Sequence, residues 1–326
     1  MHQSLPTIGN RKLKHICMPG SHDAAMSEYH PGTIGANYQN TQTQLFSFYD
    51  QLVYGSRFFD YRPVISNGQF VAGHYSEVAD VWFGGNGQSM SSVIDQINSF
   101  TQTNQELIII YLSHTLDTDN NFSALTQDQW NRMFSELTRL NHRFIPSTIP
   151  SDLTNLKLND YIASSAAVLI LAELPNGISL GNYASQGIYS STSFPRFDVY
   201  ANSDDRTTME NDQLAKLRAQ RHVSATDTKD TFFSLSWTLT QQNPFGDAIV
   251  NLAVSVWDDL FAKAYAAFTP ESYPNVLFLD AYAARDRAGF PVSEKPASVP
   301  AYPDAAALAV AVNFGVAGRN GFVTGE

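Results

Sequence analysis

The sequence has a single cysteine, Cys17, among 326 residues, so no disulfide closes within it and no thiolate cluster can bind a metal. Cys17 lies in the apolar segment "LKHICMPG" (13–20), where a thiol reads as a small core side chain. No apolar run approaches the roughly twenty residues that a membrane-spanning helix needs. Positive charge is scarce: 20 Lys and Arg face 31 Asp and Glu, for a net charge of −11, and no stretch gathers the basic residues into a patch. Such a surface repels a polyphosphate backbone and is not drawn electrostatically to an acidic membrane, so nucleic acid is not expected as a partner. The opening "MHQSLPTIGNRKLK" carries no apolar stretch of the secretory type, and the compartment stays open between secreted and cytoplasmic. No low-complexity linker or shift in composition marks a boundary, so the expectation is one α/β domain over residues 1–326.

What is present is core material. Apolar residues make up 43% and charged residues 16% of the chain, the balance of a folded globular protein. Eight short runs rich in β-branched and aromatic residues read as strands: 14–20, 56–62, 69–75, 106–114, 166–174, 194–200, 231–239 and 275–282. They are near-continuously hydrophobic, as parallel strands covered on both faces are. Helical spacing appears between them at 43–55, 87–104, 125–141, 208–221, 248–268 and 303–318. Only "PVISNG" separates the second and third runs, and no helix fits there, so a tight loop joins them. The simplest architecture is a closed or distorted (β/α)8 TIM barrel.

Ionisable residues cluster at the ends of these runs: His22 and Asp23, Asp60 and Arg62, His74, His114, Glu173, Asp198 and Asp280. Tyr200 accompanies Asp198. In a parallel barrel the C-terminal strand ends meet on one face, where barrel enzymes carry their chemistry. Two histidines with an arginine and carboxylates suit proton transfer around a phosphoryl group. One imidazole takes a proton from the nucleophile, the other protonates the leaving oxygen, and the guanidinium fork grips phosphate oxygens. The same histidines also serve acid/base chemistry on a molecule without phosphate, such as isomerisation, elimination or cyclisation. A binding module that has lost turnover is the third class.

These residues resemble the phosphatidylinositol-specific phospholipase C X-domain family in its bacterial and fungal, metal-independent form. "PGSHDAA" is similar to the family's Pro-Gly-Thr/Ser-His-Asp motif, and "GSRFFDYR" to its strand bearing an aspartate and an arginine two residues apart. "AGHY" falls where the second histidine belongs, and "YPNVLFLDAY" resembles the last barrel strand. The spacings are similar too, with 38 residues from His22 to Asp60 and 52 to His74. The resemblance implies a phospholipase C-like phosphodiesterase, a phosphorus–oxygen lyase that forms a cyclic phosphate by attack of a neighbouring hydroxyl. His22 would be the general base oriented by Asp280, and His74 the general acid supported by Asp23. Arg62 would stabilise the phosphoryl oxygen, held by Asp60, while Asp198 and Tyr200 would contact the inositol ring.

Two positions depart from that pattern. His114 stands where the bacterial phosphoinositide enzymes carry a lysine, and Glu173 where they carry an arginine. Fixed positive charge is thereby lost from the mouth of the site. A headgroup such as phosphatidylinositol would be bound less well, and a neutral or cationic substrate, or one whose hydroxyls pair with Glu173, fits better. Calcium-dependent members of the fold carry a carboxylate where Arg62 stands, and a cation and a guanidinium do not share one spot. No cofactor or metal is therefore expected, with Asp23, Asp60 and Glu173 as the set a Ca²⁺-dependent alternative would use. Trp237 is a candidate pocket-lining residue. The segment "DVWFGGNG" (80–87) is read as packing on the barrel, with a rim loop that touches lipid as the other reading. Expected partners are a phospholipid or small-molecule substrate and, transiently, a membrane surface, with the protein acting as a monomer.

Overall fold

The computed structural model describes residues 1–224, 226, 230–243, 246–284 and 301–319. Eight parallel strands form its central sheet. In chain order they are Met18–Ser21, Phe58–Tyr61, Leu107–Leu112, Ala167–Ala172, Ile188–Ser190, Arg196–Phe197, Phe232–Ser236 and Val276–Leu279. We call them strands one to eight. Each pairs with its neighbour in sequence except five with six, and strand one also pairs with strand eight, which curls the sheet into a barrel. The ring is open between strands five and six, the two edges of the sheet. Strands three and four pair over six consecutive positions, whereas strand six contributes only two residues.

Alternation of side chains sorts the residues into two populations. Phe58, Tyr111, Leu171, Phe232 and Phe278 pack together inside the barrel. Phe59, Ile110, Ile170, Phe233 and Leu277 face outward, toward the surrounding helices. Those helices follow the apolar periodicity: Met90–Thr101 buries Val93, Ile94, Ile97 and Phe100 along one face. Local caps set their starts, Ser89 accepting from the Ser92 amide and Thr126 forming a capping box with Gln129.

Strand one must carry a glycine at position 20. An alanine methyl there would lie 2.4 Å from Val276 Cγ1 and 3.3 Å from both Phe58 Cβ and Phe278 Cδ2. Gly20→Ala is expected to cost about 1–3 kcal/mol through overpacking of the barrel interior, read as a lower midpoint of urea unfolding. An unchanged midpoint would show that the interior is not close-packed at this level.

The third predicted run is not a barrel strand. Gln69–Val78 belongs to a separate five-stranded sheet, antiparallel to Pro63–Ser66 on one side and to Val81–Ser89 on the other. The link "PVISNG" explains why: Asn67 and Gly68 both have positive φ (51° and 73°), the geometry of a two-residue hairpin turn, while a parallel neighbour needs a crossover of a dozen or more residues. The barrel strand that fills the vacancy, Ile188–Ser190, is three residues long and carries no legible run. The segment 80–87 lies in a strand of the same hairpin sheet, and Trp82 stacks on Phe122 with ring centroids 5.0 Å apart. The predicted helix at 43–55 shortens to Phe48–Val53, and the one at 87–104 to Met90–Thr101.

Candidate active site

The barrel brings His22, Asp23, Asp60, Arg62 and Asp280 together at the C-terminal ends of strands one, two and eight, and the hairpin swings His74 in beside them. His22 donates from Nδ1 to Asp280 Oδ1 at 2.7 Å. Its Nε2 lies 2.6 Å from Arg62 Nη2. An Arg62 hydrogen bond to Nε2 needs the lone pair of the neutral imidazole protonated on Nδ1, the form that prevails above about pH 9. Arg62 Nε sits between two buried carboxylates, 2.8 Å from Asp60 Oδ2 and 2.9 Å from Asp23 Oδ1. Asp60 also accepts from Ser113 Oγ at 2.6 Å. His74 donates from Nδ1 to the Thr41 carbonyl (2.9 Å), which leaves its Nε2 facing Asp23 Oδ2 at 3.8 Å. Asp23 is thus tied chiefly to Arg62, and only loosely to the histidine it was expected to support.

Electrostatics follow from this packing. Burial alone would make His22 less basic, but the adjacent Asp280 carboxylate outweighs it and raises the imidazole to about 9. Burial also disfavours the Asp60 anion, yet the Arg62 guanidinium holds its carboxyl well below the usual carboxylate range. The two carboxylates likewise overcome desolvation of Arg62 and secure its charge. His114, at the more exposed rim, donates from Nδ1 to Ser113 Oγ at 2.8 Å. Partial loss of solvent and the Arg62 charge make its imidazole less basic than usual.

The backbone turns sharply at three of these strand ends. Asp23, His114 and Ala281 have φ of 43°, 50° and 46°, left-handed conformations that cost energy in non-glycine residues and gather at functional sites. Gln44, fully buried, pins two of these turns: its Nε2 donates to the His22 carbonyl (2.6 Å) and its Oε1 accepts from the Tyr282 amide (2.9 Å). Nothing in the sequence singled it out, because it sits in a segment that reads as helical.

The remaining expected residues fall into three places. Asp198 lies in the mouth, accepting from Ser236 Oγ at 2.8 Å and paired with Arg196 Nη2 at 2.9 Å. Glu173 and Tyr200 are exposed, Tyr200 by 56%. Trp237 does not line the mouth. It is buried in the outer core, and its Nε1 donates to the Val256 carbonyl at 2.9 Å. Side-chain alternation puts Ser236 inward and therefore Trp237 outward. As for a metal, the two carboxylates that converge here hold a guanidinium between them. Among the described residues no group of three or more His, Cys, Asp or Glu has metal-ligand geometry.

No family profile matches the chain, and no curated protein does. Solved structures do. The phosphatidylinositol-specific phospholipase C of Staphylococcus aureus is similar over 88% of this chain and 93% of its own, with a TM-score of 0.57 and 16% identity. The phosphatidylinositol-specific phospholipase C of Listeria monocytogenes is similar over 93% and 94%, with a TM-score of 0.52 and 15% identity. The open parallel barrel and the full span of both likenesses lead to one conclusion: this chain has the distorted TIM-barrel fold of the bacterial phosphatidylinositol-specific phospholipases C.

Proposed function

We propose that this protein is a phosphodiester-cleaving lyase of the phosphatidylinositol phospholipase C type that works without a metal. One observation carries the reading: a half-buried arginine, neutralised by Asp23 and Asp60, points Nη2 at the nitrogen of a base-like histidine. An incoming phosphodiester anion offers Arg62 a better acceptor than His22 Nε2. As Nη2 turns to the non-bridging oxygen, the His22 lone pair is released next to the substrate. His22 Nε2 then takes the proton of the neighbouring hydroxyl, whose oxygen attacks phosphorus. The bond from phosphorus to the leaving oxygen breaks, and protonated His74 supplies a proton to that oxygen from Nε2. The products are a cyclic phosphodiester and a free alcohol, and water restores both protonation states. Asp280 supports the imidazolium that His22 becomes.

A phospholipid is the substrate class we favour. Ile34, Val78 and Val81 are exposed large apolar residues, 99%, 59% and 52% accessible, and the latter two form the tip of the hairpin that carries His74. They offer an uncharged contact to lipid, in keeping with a chain of net charge −11. The test is incubation with phosphatidylinositol vesicles in excess EDTA, followed by ³¹P NMR. A cyclic phosphate signal is expected, absent with His22→Ala. Cleavage that appears only with added Ca²⁺ would favour a calcium-dependent enzyme. No cleavage of any phosphodiester tried would turn the reading toward acid/base chemistry on a substrate without phosphate.

A further inference from the structure

Between strands one and two the chain buries a stretch of polar residues. Thr41, Gln42, Thr43 and Gln44 are 2%, 8%, 1% and 0% exposed. Polar side chains in succession are costly to bury unless each is partnered, and the partners here all belong to the active-site end of the molecule. Gln44 is saturated: Nε2 donates to the carbonyls of His22 (2.6 Å) and Leu279 (3.2 Å), and Oε1 accepts from the Tyr282 amide (2.9 Å). It therefore grips the backbone on both sides of Asp280 as well as that of His22. Thr43 binds the same two turns, donating from Oγ1 to the Asp23 carbonyl (3.1 Å) and accepting at its own carbonyl from the Ala281 amide (2.8 Å). Gln42 braces the stretch from within, its Nε2 donating to the carbonyls of Ser27 (2.9 Å) and Gln44 (3.0 Å). At the other end the Thr41 carbonyl accepts from His74 Nδ1 at 2.9 Å.

We infer that Thr41–Gln44 is a strap that sets the proton acceptor and the proton donor of this site against each other, with Gln44 as the positioning residue of the His22–Asp280 pair; what the pair does with its proton rests on the phosphodiesterase reading. Two observations carry the inference beyond packing. The first is strain. Asp23 and Ala281 hold left-handed φ of 43° and 46°, conformations that persist in non-glycine residues only where the surroundings over-determine them. Both residues are bonded by the strap, and they directly follow His22 and Asp280. The 2.7 Å contact between His22 Nδ1 and Asp280 Oδ1 joins the ends of two strands, so its length depends on how those turns are held. The second observation is reach. His22 and Asp280 follow strands one and eight of the barrel, whereas His74 lies in the hairpin sheet. The strap bonds to the His22 carbonyl, to Leu279, Ala281 and Tyr282 around Asp280, and to the His74 ring. Only an amide of this length supplies the donors and the acceptor together: an aliphatic side chain at 44 would fill the space but leave two carbonyls and an N–H without their partner.

The experiment compares two buried amides at opposite ends of the barrel. Asn275, also 0% exposed, donates to the carbonyls of Lys14 and Ile16 and accepts from the Phe233 amide, so Gln44→Met and Asn275→Leu remove the same set of hydrogen bonds. The His22 imidazole is followed by NMR and assigned by its absence from His22→Ala. In the wild type it should titrate near its raised value of about 9. Gln44→Met should loosen the contact with Asp280 and lower that value toward the roughly 6.5 of a free imidazole, with at least about a ten-fold loss of proton affinity. For cleavage of phosphatidylinositol, kcat should fall about a hundred-fold with KM little changed, as for misplaced reacting groups. Asn275→Leu should lower the urea midpoint as much and leave both readouts alone; Asn275→Ser takes its place if it does not fold. Thr43→Val, which loses only the bond to the Asp23 carbonyl, should move both readouts the same way by less, and it decides the matter if Gln44→Met does not fold. An unmoved His22 titration in the strap variants, or an equal shift in the Asn275 variant, overturns the inference. If the wild type cleaves no phosphodiester, the phosphodiesterase reading fails, and the His22 titration decides the strap alone.

Discussion

Replacing Arg62 by lysine is expected to lower kcat for phosphodiester cleavage by about 10²–10³, the loss typical of removing one donor aimed at developing charge. The change keeps the charge but not the shape. Arg62 Nε is held between Asp60 and Asp23 at 2.8 and 2.9 Å while Nη2 reaches 2.6 Å from His22 Nε2. An ammonium is a single point and cannot span both places. Lysine and methionine variants separate geometry from charge through pH. The share of neutral His22, the form that can accept a proton, should climb as pH rises through about 9, read from the NMR shifts of its imidazole. The Arg62 charge opposes protonation of His22. Arg62→Met removes that opposition, so the climb should move to higher pH, whereas Arg62→Lys should leave it in place. A profile that shifts equally in both variants, or in neither, would detach Arg62 from His22.

Much of this centre was legible in the sequence because barrel geometry concentrates it in short strings. "SHD", "FFDYR" and "FLDAY" each place an ionisable residue where a strand ends, and a curled parallel sheet brings those ends together whatever the helices do. Alternation was the rule left unapplied. It turns Ser236 inward and Trp237 outward, and it turns Arg196 into the barrel two residues before Asp198. His74 was found for its motif and misplaced in the fold, because a buried hairpin strand and a parallel strand have the same hydrophobic run. Only the Asn67–Gly68 turn distinguished them. Strand five was out of reach: three residues pair with strand four, too few to carry a periodicity. Gln44 acts through hydrogen bonds to the His22 carbonyl and the Tyr282 amide, and Ser113 through those to Asp60 and His114, and a lone polar residue has no pattern to betray it.

The largest loss of stability is expected at the opposite end of the barrel. Asp230 precedes strand seven, and its side chain is 1% exposed. It accepts from Arg221 Nη1 at 2.6 Å and pairs with His15 Nε2 at 2.7 Å, with Lys14 Nζ 3.6 Å away. Arg221 reaches on to the carbonyls of Lys14 (2.6 Å) and Tyr273 (3.0 Å), so the cluster ties together the approaches to strands one, seven and eight. Asp230→Asn leaves the Arg221 charge buried without a counterion and is expected to cost about 3–5 kcal/mol in urea unfolding. Replacing Asp230 and Arg221 together by leucine and methionine should cost much less, because no uncompensated charge remains. The pH dependence has a definite sign. Burial opposes the Asp230 anion, but the His15 hydrogen bond and Arg221 hold it below the ordinary carboxylate value. That contribution is present at neutral pH and is lost as pH falls through the folded value. Burial makes His15 less basic than the roughly 6.5 of a free imidazole, so below that pH the unfolded chain takes up its proton more readily, again favouring unfolding. The wild type should therefore lose stability steadily on acidification, while Asp230→Asn starts lower and declines less in the carboxylate range. Parallel declines in the two proteins would place the acid sensitivity elsewhere, and a stable Asp230→Asn variant would show that Arg221 finds its charge compensation without Asp230.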